Sequence, residues 1–247
     1  MIRAVLFDLD DTLVDHQHAS RAAIAGVRDR FAALHAKELD VLVRENQRIV
    51  DSMHHEVAIG RRGVADARIE RYRRLFAYVG HGSERASAAA ELHRRVYQSS
   101  RKCVEGAVEL VTLLHARLRV GVITNNTAAE QREKLATFGF APHVDVLVTS
   151  EEVGVAKPDP HIFRTALARL ACEPYEAVMI GDAWVQDVLG ATEAGIRALW
   201  LNRNGLPHPD PAIAMQISCL HPAEDVAMLV APDHALLARS FPDDAGS

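Results

Sequence analysis

The chain has 247 residues, of which 49% are hydrophobic and 25% charged, and its net charge is −5. This length accommodates one large domain or a core domain with an insertion, and the apolar content excludes an intrinsically disordered chain. The mildly acidic balance argues against a nucleic-acid partner or an anionic membrane surface. The longest stretch without Asp, Glu, Lys or Arg, residues 211–223, is shorter than the roughly 18 apolar residues of a membrane helix.

The first predicted element is a β-strand over residues 2–7, a short and almost wholly apolar run that contains Val5, Leu6 and Phe7. Such runs are typical of strands that are covered on both faces. Because the run ends in acids and no small-residue cleavage site follows, no signal peptide is predicted. Four later runs share the pattern: residues 118–123, 144–148, 177–180 and 197–201.

Residues 15–100 separate the first run from the others with four helical patterns. Apolar residues recur there at helical spacing, for example at Ile24, Val27 and Phe31, and no convincing strand occurs. The sequence therefore predicts a helical domain, residues 15–100, inserted into a core that is formed by residues 1–14 and 101–247.

Two further helices are indicated between the later strands. Thr127 and Glu130 have the spacing of a capping box, which predicts a helix over residues 128–137. Asp159-Pro160 provides an N-cap followed by a proline at the first helical position, which predicts a helix over residues 160–171. Alternation of apolar strands and helices is typical of an α/β fold with a doubly wound parallel sheet.

Polar residues follow the ends of four predicted strands, which is where ligands bind in open α/β sheets. In chain order, these residues are Asp8, Asp10, Asp11 and Thr12; Thr124, Asn125 and Asn126; Lys157, after a loop; and Asp182 with Asp187. We expect their side chains to converge at one edge of the sheet.

A cluster of carboxylates in a crevice is unfavourable unless a cation is present. An all-oxygen ligand set suits Mg²⁺, which accepts a few carboxylates together with substrate oxygens and water. A further carboxylate can attack phosphorus as a nucleophile, while Thr124 and Lys157 can supply a hydrogen-bond donor and positive charge to phosphoryl oxygens. The cluster therefore predicts magnesium-dependent phosphoryl chemistry.

Four segments resemble, in order, the four motifs of the haloacid dehalogenase-like (HAD) hydrolases. They are Asp8-Leu9-Asp10-Asp11-Thr12, Val122-Ile123-Thr124-Asn125, Lys157-Pro158 and Gly181-Asp182 with Asp187. The helical insertion directly after the first motif resembles the cap of the family's helical-cap branch. Within that branch, residues 124–127, 131–134 and 180–182 are similar to segments of N-acylneuraminate-9-phosphatases, pyrimidine nucleotidases and phosphoglycolate phosphatases.

The resemblance implies a catalytic role for Asp8, Asp10, Thr124 and Lys157, and a phosphate-binding role for Thr124, Asn125 and Lys157. Asp8 would be the nucleophile, and Asp10 would be the general acid for the leaving oxygen and then the base that activates water. Thr124 and Asn125 would bind the phosphoryl group. Lys157 would bind it too and would neutralise the charge that Asp8 and the phosphate share.

The resemblance also implies a Mg²⁺ site. Asp182 would bind the ion beside the Asp8 carboxylate and the backbone carbonyl of Asp10, and Asp187 would complete the acidic shell. The chain departs from the family after the Gly-Asp pair, because it has Ala183-Trp184 where family members usually have Ser or Thr.

Several functions fit these residues, and a phosphatase that hydrolyses a small phosphomonoester through an aspartyl-phosphate on Asp8 is favoured. A 2-haloacid dehalogenase on the same fold would lack an acid at the position of Asp10. A phosphoglucomutase-like phosphoryl transferase would share every core residue. A receiver-like phospho-accepting domain is the non-enzyme alternative, but receivers are much shorter and have no helical insertion.

The three cysteines, Cys103, Cys172 and Cys219, are far apart, which is typical of reduced thiols in a cytoplasmic protein. We therefore expect a cytoplasmic enzyme whose partner is a small-molecule substrate, with no nucleic-acid or membrane partner. The sequence indicates neither the oligomeric state nor the physiological substrate.

The inserted helices are predicted to select the substrate. They follow the nucleophile strand directly, so they are placed to close over the site and exclude water, as lids do. On the helix predicted over residues 64–79, Ile69, Tyr72 and Phe76 form the buried stripe, and Arg71 lies off it. We expect at least one residue in 54–62 or 71–74 to contact an anionic or polar part of the substrate.

Overall fold

The computed structural model describes residues 1–232, and within them six parallel strands form one sheet in the order β3-β2-β1-β4-β5-β6. The strands are β1 (Ala4–Phe7), β2 (Arg119–Thr124), β3 (Val146–Thr149), β4 (Ala177–Gly181), β5 (Arg197–Leu201) and β6 (Met215–Ile217). This order is that of a doubly wound α/β fold, and it confirms the predicted fold class. The sequence did not predict β6, which has three residues and buries only Ile217.

Ten α-helices lie within the described residues. They are α1 (His16–Arg30), α2 (Leu39–Ala58), α3 (Val64–Tyr78), α4 (Ala86–Ser100), α5 (Ala107–His115), α6 (Ala128–Thr137), α7 (Ser150–Val153), α8 (Pro160–Leu170), α9 (Gly190–Glu193) and α10 (Ala223–Val230). Short 3₁₀ segments occupy Ala32–Ala36, Ala141–His143 and Pro174–Glu176, and residues Trp184–Leu189 form a π-helix. No helix in this part of the chain is both long and apolar enough to cross a membrane.

Both faces of the sheet are covered, which explains why β1 is apolar at every position. Val5 and Phe7 pack on one face in a cluster that includes residues of α5 and α10. Ala4 and Leu6 pack on the opposite face with residues of α8 and α9. A strand with helices on both sides has no solvent-facing positions, and its period-2 alternation is therefore lost.

Helices α1–α4 lie between β1 and α5 and have an apolar core of their own. Tyr72 and Leu75 of α3 and Leu42 of α2 are fully buried in it, as is Ile24 of α1. The chain enters and leaves this part at neighbouring points, because the Asp15 amide donates to the Lys102 carbonyl at 2.9 Å. The predicted division into domains (15–100, with 1–14 and 101–247) stays a prediction, and its residues 233–247 lie outside the described residues.

The predicted starts of α6 and α8 are confirmed, but the capping at α6 was predicted wrongly. Asp159 caps α8, since its carboxylate accepts a hydrogen bond from the His161 amide at 2.8 Å. The Thr127 side chain makes no capping bond. Glu130 instead forms an ion pair with Arg68 of α3 at 3.2 Å, a long-range partner that the local spacing could not reveal.

Candidate active site

A cavity of about 390 Å³ opens at the carboxyl ends of β1, β2 and β4. Its wall includes every residue that the sequence placed in the site: Asp8, Asp10, Thr124, Asn125, Lys157, Asp182 and Asp187. The shared edge of the parallel strands brings them together, because each residue follows or ends a strand or lies in the loop beyond it. The helices α2 and α3 provide the opposite wall.

Lys157 is the centre of the charged network beneath this cavity. Its Nζ is buried and donates to Asp8 Oδ1 and Asp187 Oδ1, both at 2.6 Å, and to the Ile123 carbonyl at 2.8 Å. The charges of Asp187 and Asp8 raise the pKa of Lys157 although burial opposes this shift. The lysine is therefore a fixed cation that joins the end of β1 to the turn after β4.

Asp8, Asp182 and Asp187 place one carboxylate oxygen each within 4.8 Å of one another. Burial raises the pKa of Asp8 to about 7 although the charge of Lys157 opposes this shift. Burial and the charges of Asp8 and Asp187 raise the pKa of Asp182 to about 9. Three carboxylates thus share one lysine, and the group needs further positive charge before all three can ionise.

The backbone around Asp182 and Asp187 is held in place by tight contacts. The Trp200 indole donates to the Asp182 carbonyl at 2.8 Å, and the Ala183 amide donates to Asp187 Oδ2 at 3.0 Å. Gly181 packs against the Asp187 side chain so closely that a Cβ there would overlap it. Only glycine therefore allows the π-helix over Trp184–Leu189 to bring Asp187 under the sheet edge.

Asp10 has its own buried lysine, which the sequence analysis did not assign to the site. Lys134 of α6 donates to Asp10 Oδ1 at 2.6 Å, and Gln131 donates to Asp10 Oδ2 at 2.9 Å. Although burial disfavours the charge, Lys134 and these hydrogen bonds hold the pKa of Asp10 well below its usual range. The available signal was a lysine three residues after a glutamine on a helix that begins directly after β2.

Thr124 and Asn125 lie at the end of β2 and make different contacts. Thr124 is buried, and its Oγ1 accepts a hydrogen bond from Gln131 at 2.8 Å. Asn125 lines the cavity, but its amide group binds the Lys157 backbone twice, accepting at 2.7 Å and donating at 2.9 Å. Asn125 therefore positions the lysine, and its predicted contact with the phosphoryl group stays a prediction.

The wall that α2 and α3 provide contains both apolar and polar side chains. Val50, Met53 and Val57 of α2 and Val64 and Ala67 of α3 line it, together with Gln47, Asp51, Arg68 and Arg71. Within the two stretches expected to contact substrate, the structure places Val57 and Arg71 in this wall. The side chains of His54 and His55 lie outside the described part of the structure.

The motifs and the sheet order can be compared with those of known proteins. Residues 2–195 match the model of the haloacid dehalogenase-like hydrolases. The chain belongs to this family. The predicted resemblance is thereby confirmed, and this HAD hydrolase has relatives that are named phosphatases.

The phosphoserine phosphatase of Thermus thermophilus is 33% identical over 233 residues, which cover 85% of the chain and 92% of that protein. The human N-acylneuraminate-9-phosphatase is 28% identical, with 83% of the chain and 84% of that protein covered. The fold is similar to that of the HAD hydrolase YfnB from Bacillus subtilis, crystallised with bound magnesium, with a TM-score of 0.73 at 21% identity. That match covers 93% of the chain and 99% of the neighbour.

Proposed function

We propose that this HAD hydrolase is a Mg²⁺-dependent phosphatase that hydrolyses a small phosphomonoester through an aspartyl-phosphate on Asp8. The observation that carries the proposal is a pair of acids two residues apart, each bound by a separate buried lysine. Asp8 is bound by Lys157 at 2.6 Å and Asp10 by Lys134 at 2.6 Å. One acid is thus held as a nucleophile and the other as a proton carrier on the same side of an extended strand end.

The first half of the reaction transfers the phosphoryl group to the enzyme. A carboxylate oxygen of Asp8 forms a bond to phosphorus while the bond from phosphorus to the leaving oxygen breaks. Lys157 neutralises the added charge, and the Thr124 hydroxyl donates to a phosphoryl oxygen. The leaving oxygen takes a proton from Asp10 and departs as an alcohol.

Asp10 is ionised in the geometry that the structure shows, because Lys134 and Gln131 stabilise its charged form. A phosphoryl dianion that enters the cavity adds negative charge beside Asp10, which raises the pKa of Asp10 and favours the protonated acid. After proton transfer, Asp10 is again a carboxylate. It then takes a proton from the water that attacks the aspartyl-phosphate, and phosphate leaves Asp8.

The acidic cluster fits Mg²⁺ as the implied metal. Its donors are all carboxylate oxygens, the set that hard cations prefer, and the raised pKa of Asp182 shows that its charge is not compensated. Asp8 and Asp182 would hold the ion with the backbone carbonyl of Asp10, and Asp187 would complete the shell. When bound, Mg²⁺ supplies positive charge to Asp8 and to a phosphoryl oxygen.

Two contacts favour phosphate hydrolysis over dehalogenation. Dehalogenation needs no acid two residues after the nucleophile, whereas Asp10 is held here by both Lys134 and Gln131. A network that fixes this carboxylate suits a reaction in which a leaving oxygen must be protonated.

Residues 15–100 are proposed to be the cap that closes the cavity and excludes water during the reaction. Their separate apolar core supports this division, as does the position of α2 and α3 over the catalytic residues. The cytoplasmic location stays a prediction.

The proposal is tested by assaying the chain on a panel of phosphomonoesters, including p-nitrophenyl phosphate, with Mg²⁺ and with EDTA. We expect phosphate release with Mg²⁺, loss of activity with EDTA, and recovery when excess Mg²⁺ is added. Full activity in a demonstrably metal-free sample would contradict the metal assignment. Chloride release from 2-chloropropionate without phosphate release from any ester would replace the proposal with a dehalogenase.

A further inference from the structure

Arg71 differs from its neighbours because its guanidinium faces the substrate cavity without an anionic partner. It lies on α3, lines the catalytic cavity and borders a second cavity beside it. Its Nε is enclosed and has no hydrogen-bond acceptor. Among residues 1–232 its one specific contact is the ring of Tyr72, whose centroid lies 5.4 Å from the guanidinium carbon.

The other arginines of α3 all have carboxylate partners. Arg68 pairs with Glu130 at 3.2 Å, and Arg73 and Arg74 pair with Glu70 at 3.7 and 2.8 Å. Burial and the charge of Arg68 lower the pKa of Arg71, although the charge of Glu130 opposes this shift and a guanidinium stays protonated in proteins. An enclosed cation without an anion is unfavourable, and one ionic partner would remove much of this cost.

The position of Arg71 indicates where that partner comes from. Val64, Ala67, Arg68 and Arg71 lie at positions i, i+3, i+4 and i+7 of α3, and all four line the catalytic cavity. The core wall of the same cavity contains Asp8, Thr124 and Lys157. A phosphomonoester seated on the core wall therefore directs its leaving group toward the wall that contains Arg71.

We propose that Arg71 binds a second anionic group on the leaving group of the substrate, either a carboxylate or a second phosphate. This inference rests on the proposed phosphatase function and names the substrate class. The guanidinium offers a planar set of N–H donors that matches both groups in a bidentate arrangement. The surrounding Val50, Met53 and Val57 provide no competing charge. Asp51, an acid in the same wall, accepts a hydrogen bond from Gln47 at 2.8 Å. Glu130, which lines the second cavity with Arg71, is paired with Arg68 at 3.2 Å.

The experiment compares matched substrates in the wild-type chain and in three variants. O-phosphoserine and O-phosphoethanolamine differ by one carboxylate, and fructose 1,6-bisphosphate and fructose 1-phosphate differ by one phosphate. The variants are Arg71→Met, which removes the charge, Arg71→Lys, which keeps it, and Arg73→Met, which changes an exposed arginine of the same helix. Values of kcat and KM are measured for each pair.

We expect the wild-type chain to prefer, in at least one pair, the substrate that has the second anionic group. The pair that shows the preference identifies whether Arg71 binds a carboxylate or a phosphate. Arg71→Met lowers kcat/KM for the member with the second anionic group by roughly 10- to 100-fold more than for the member without it, the range for a lost charged hydrogen bond. The change falls mainly on KM. Arg71→Lys restores part of the preference, and Arg73→Met leaves it as in the wild type.

Each contrary result has one meaning. Equal losses on both members of the preferred pair would make Arg71 a structural residue and overturn the inference. If Arg71→Met fails to fold, the inference is tested by the wild-type chain and by Arg71→Lys. The inference is overturned if the wild-type chain shows no preference in either pair. It is also overturned if Arg71→Lys keeps the full preference at unchanged KM, because the planar guanidinium would then not be needed. A wild-type chain that releases no phosphate even from p-nitrophenyl phosphate refutes the proposed function instead.

Discussion

The two walls of the cavity differ in how their charged side chains are paired. The core wall contains Asp8, Thr124 and Lys157, and the cap wall is the one that α2 and α3 provide. In the core wall, Lys157 binds Asp8 and Asp187 and Lys134 binds Asp10, all at 2.6 Å, so these three carboxylates have cationic partners within the protein. In the wall that α2 and α3 provide, Arg71 is partly buried and has no ion pair within the described part of the chain, and its Nε is enclosed without a hydrogen-bond acceptor. The charged groups of the core wall are thus ordered by each other, whereas we propose that the wall formed by α2 and α3 is completed by a ligand.

This difference separates two tasks. Chemistry at phosphorus requires groups that are fixed in advance, because reorganisation during the reaction would cost rate. We propose that selection between substrates here uses a group whose interaction is unsatisfied until the right ligand binds. If the two walls have separate tasks, changes in the core wall should lower kcat, and changes within the inserted helices should leave kcat for a minimal substrate nearly unchanged.

The largest expected effect comes from Asp8→Asn. The amide is a poor nucleophile, so turnover falls to the background of the assay and no phosphoenzyme forms, measured by phosphate release and by acid quenching with labelled substrate. Asp29→Asn, on the exposed surface of α1, is the matched control and keeps wild-type turnover. Near-normal turnover of Asp8→Asn would show that another residue attacks phosphorus.

The next effect concerns Asp10 and Lys134. Asp10→Asn is expected to lower kcat by roughly 10²–10⁴-fold, the usual contribution of a general acid and base. Lys134→Met lowers kcat by less, since it acts by holding Asp10. The double variant should therefore be no slower than Asp10→Asn alone. Multiplicative losses in the double variant would mean that Lys134 acts on the substrate directly.

A smaller effect is expected on stability as the pH rises from 7 to 8.5 without metal. The pKa of Asp182 is raised to about 9 in the fold, but unfolded aspartate ionises near 3.9. The folded state therefore binds more protons than the unfolded state in this window, and its stability falls as the pH rises. We expect Tm to decrease over this range, less so with Mg²⁺ or in Asp182→Asn. A Tm that rises with pH in the metal-free chain would contradict the raised pKa.

The smallest effect tests a polar pair inside the cap helices. The Tyr72 hydroxyl and His93 Nδ1 form a buried hydrogen bond of 2.7 Å. Tyr72→Phe leaves the imidazole without this partner and is expected to lower the free energy of unfolding by about 1–3 kcal/mol. The kcat for p-nitrophenyl phosphate should change little, because Tyr72 is not in the cavity wall. A large loss of kcat without loss of stability would connect the cap interior to the chemistry.

The sequence predicted which side chains meet at this edge of the sheet because most of them follow a buried strand closely. Asp8, Thr124 and Asp182 are placed by strand ends, and parallel strands bring their ends to one edge whatever the loops do. Lys134 and Gln131 were missed because they reach Asp10 from a helix, across more than 100 residues of sequence. Such a contact depends on how α6 packs, which a local pattern does not contain.

The cap wall could be predicted only in part. The apolar stripe of α3 placed Tyr72 and Phe76 in the core of the cap, and both are fully buried. The same stripe excluded Arg71 from that core, but only the packing of α3 over the sheet edge shows that it faces the catalytic cavity. The ion pair between Glu130 and Arg68 across this boundary also replaced the capping box that was predicted for Glu130.

The chain enters and leaves the inserted helices at neighbouring points, and this bears on whether the whole segment can be replaced. Val14 forms an antiparallel β-bridge with Cys103, and the Asp15 amide donates to the Lys102 carbonyl. These backbone hydrogen bonds join the two ends of the insertion. The entropic cost of closing a loop grows only slowly with its length, so a long insertion between neighbouring points costs the fold little more than a short one. We therefore expect that the inserted helices can be exchanged as one unit while the register of the sheet is kept.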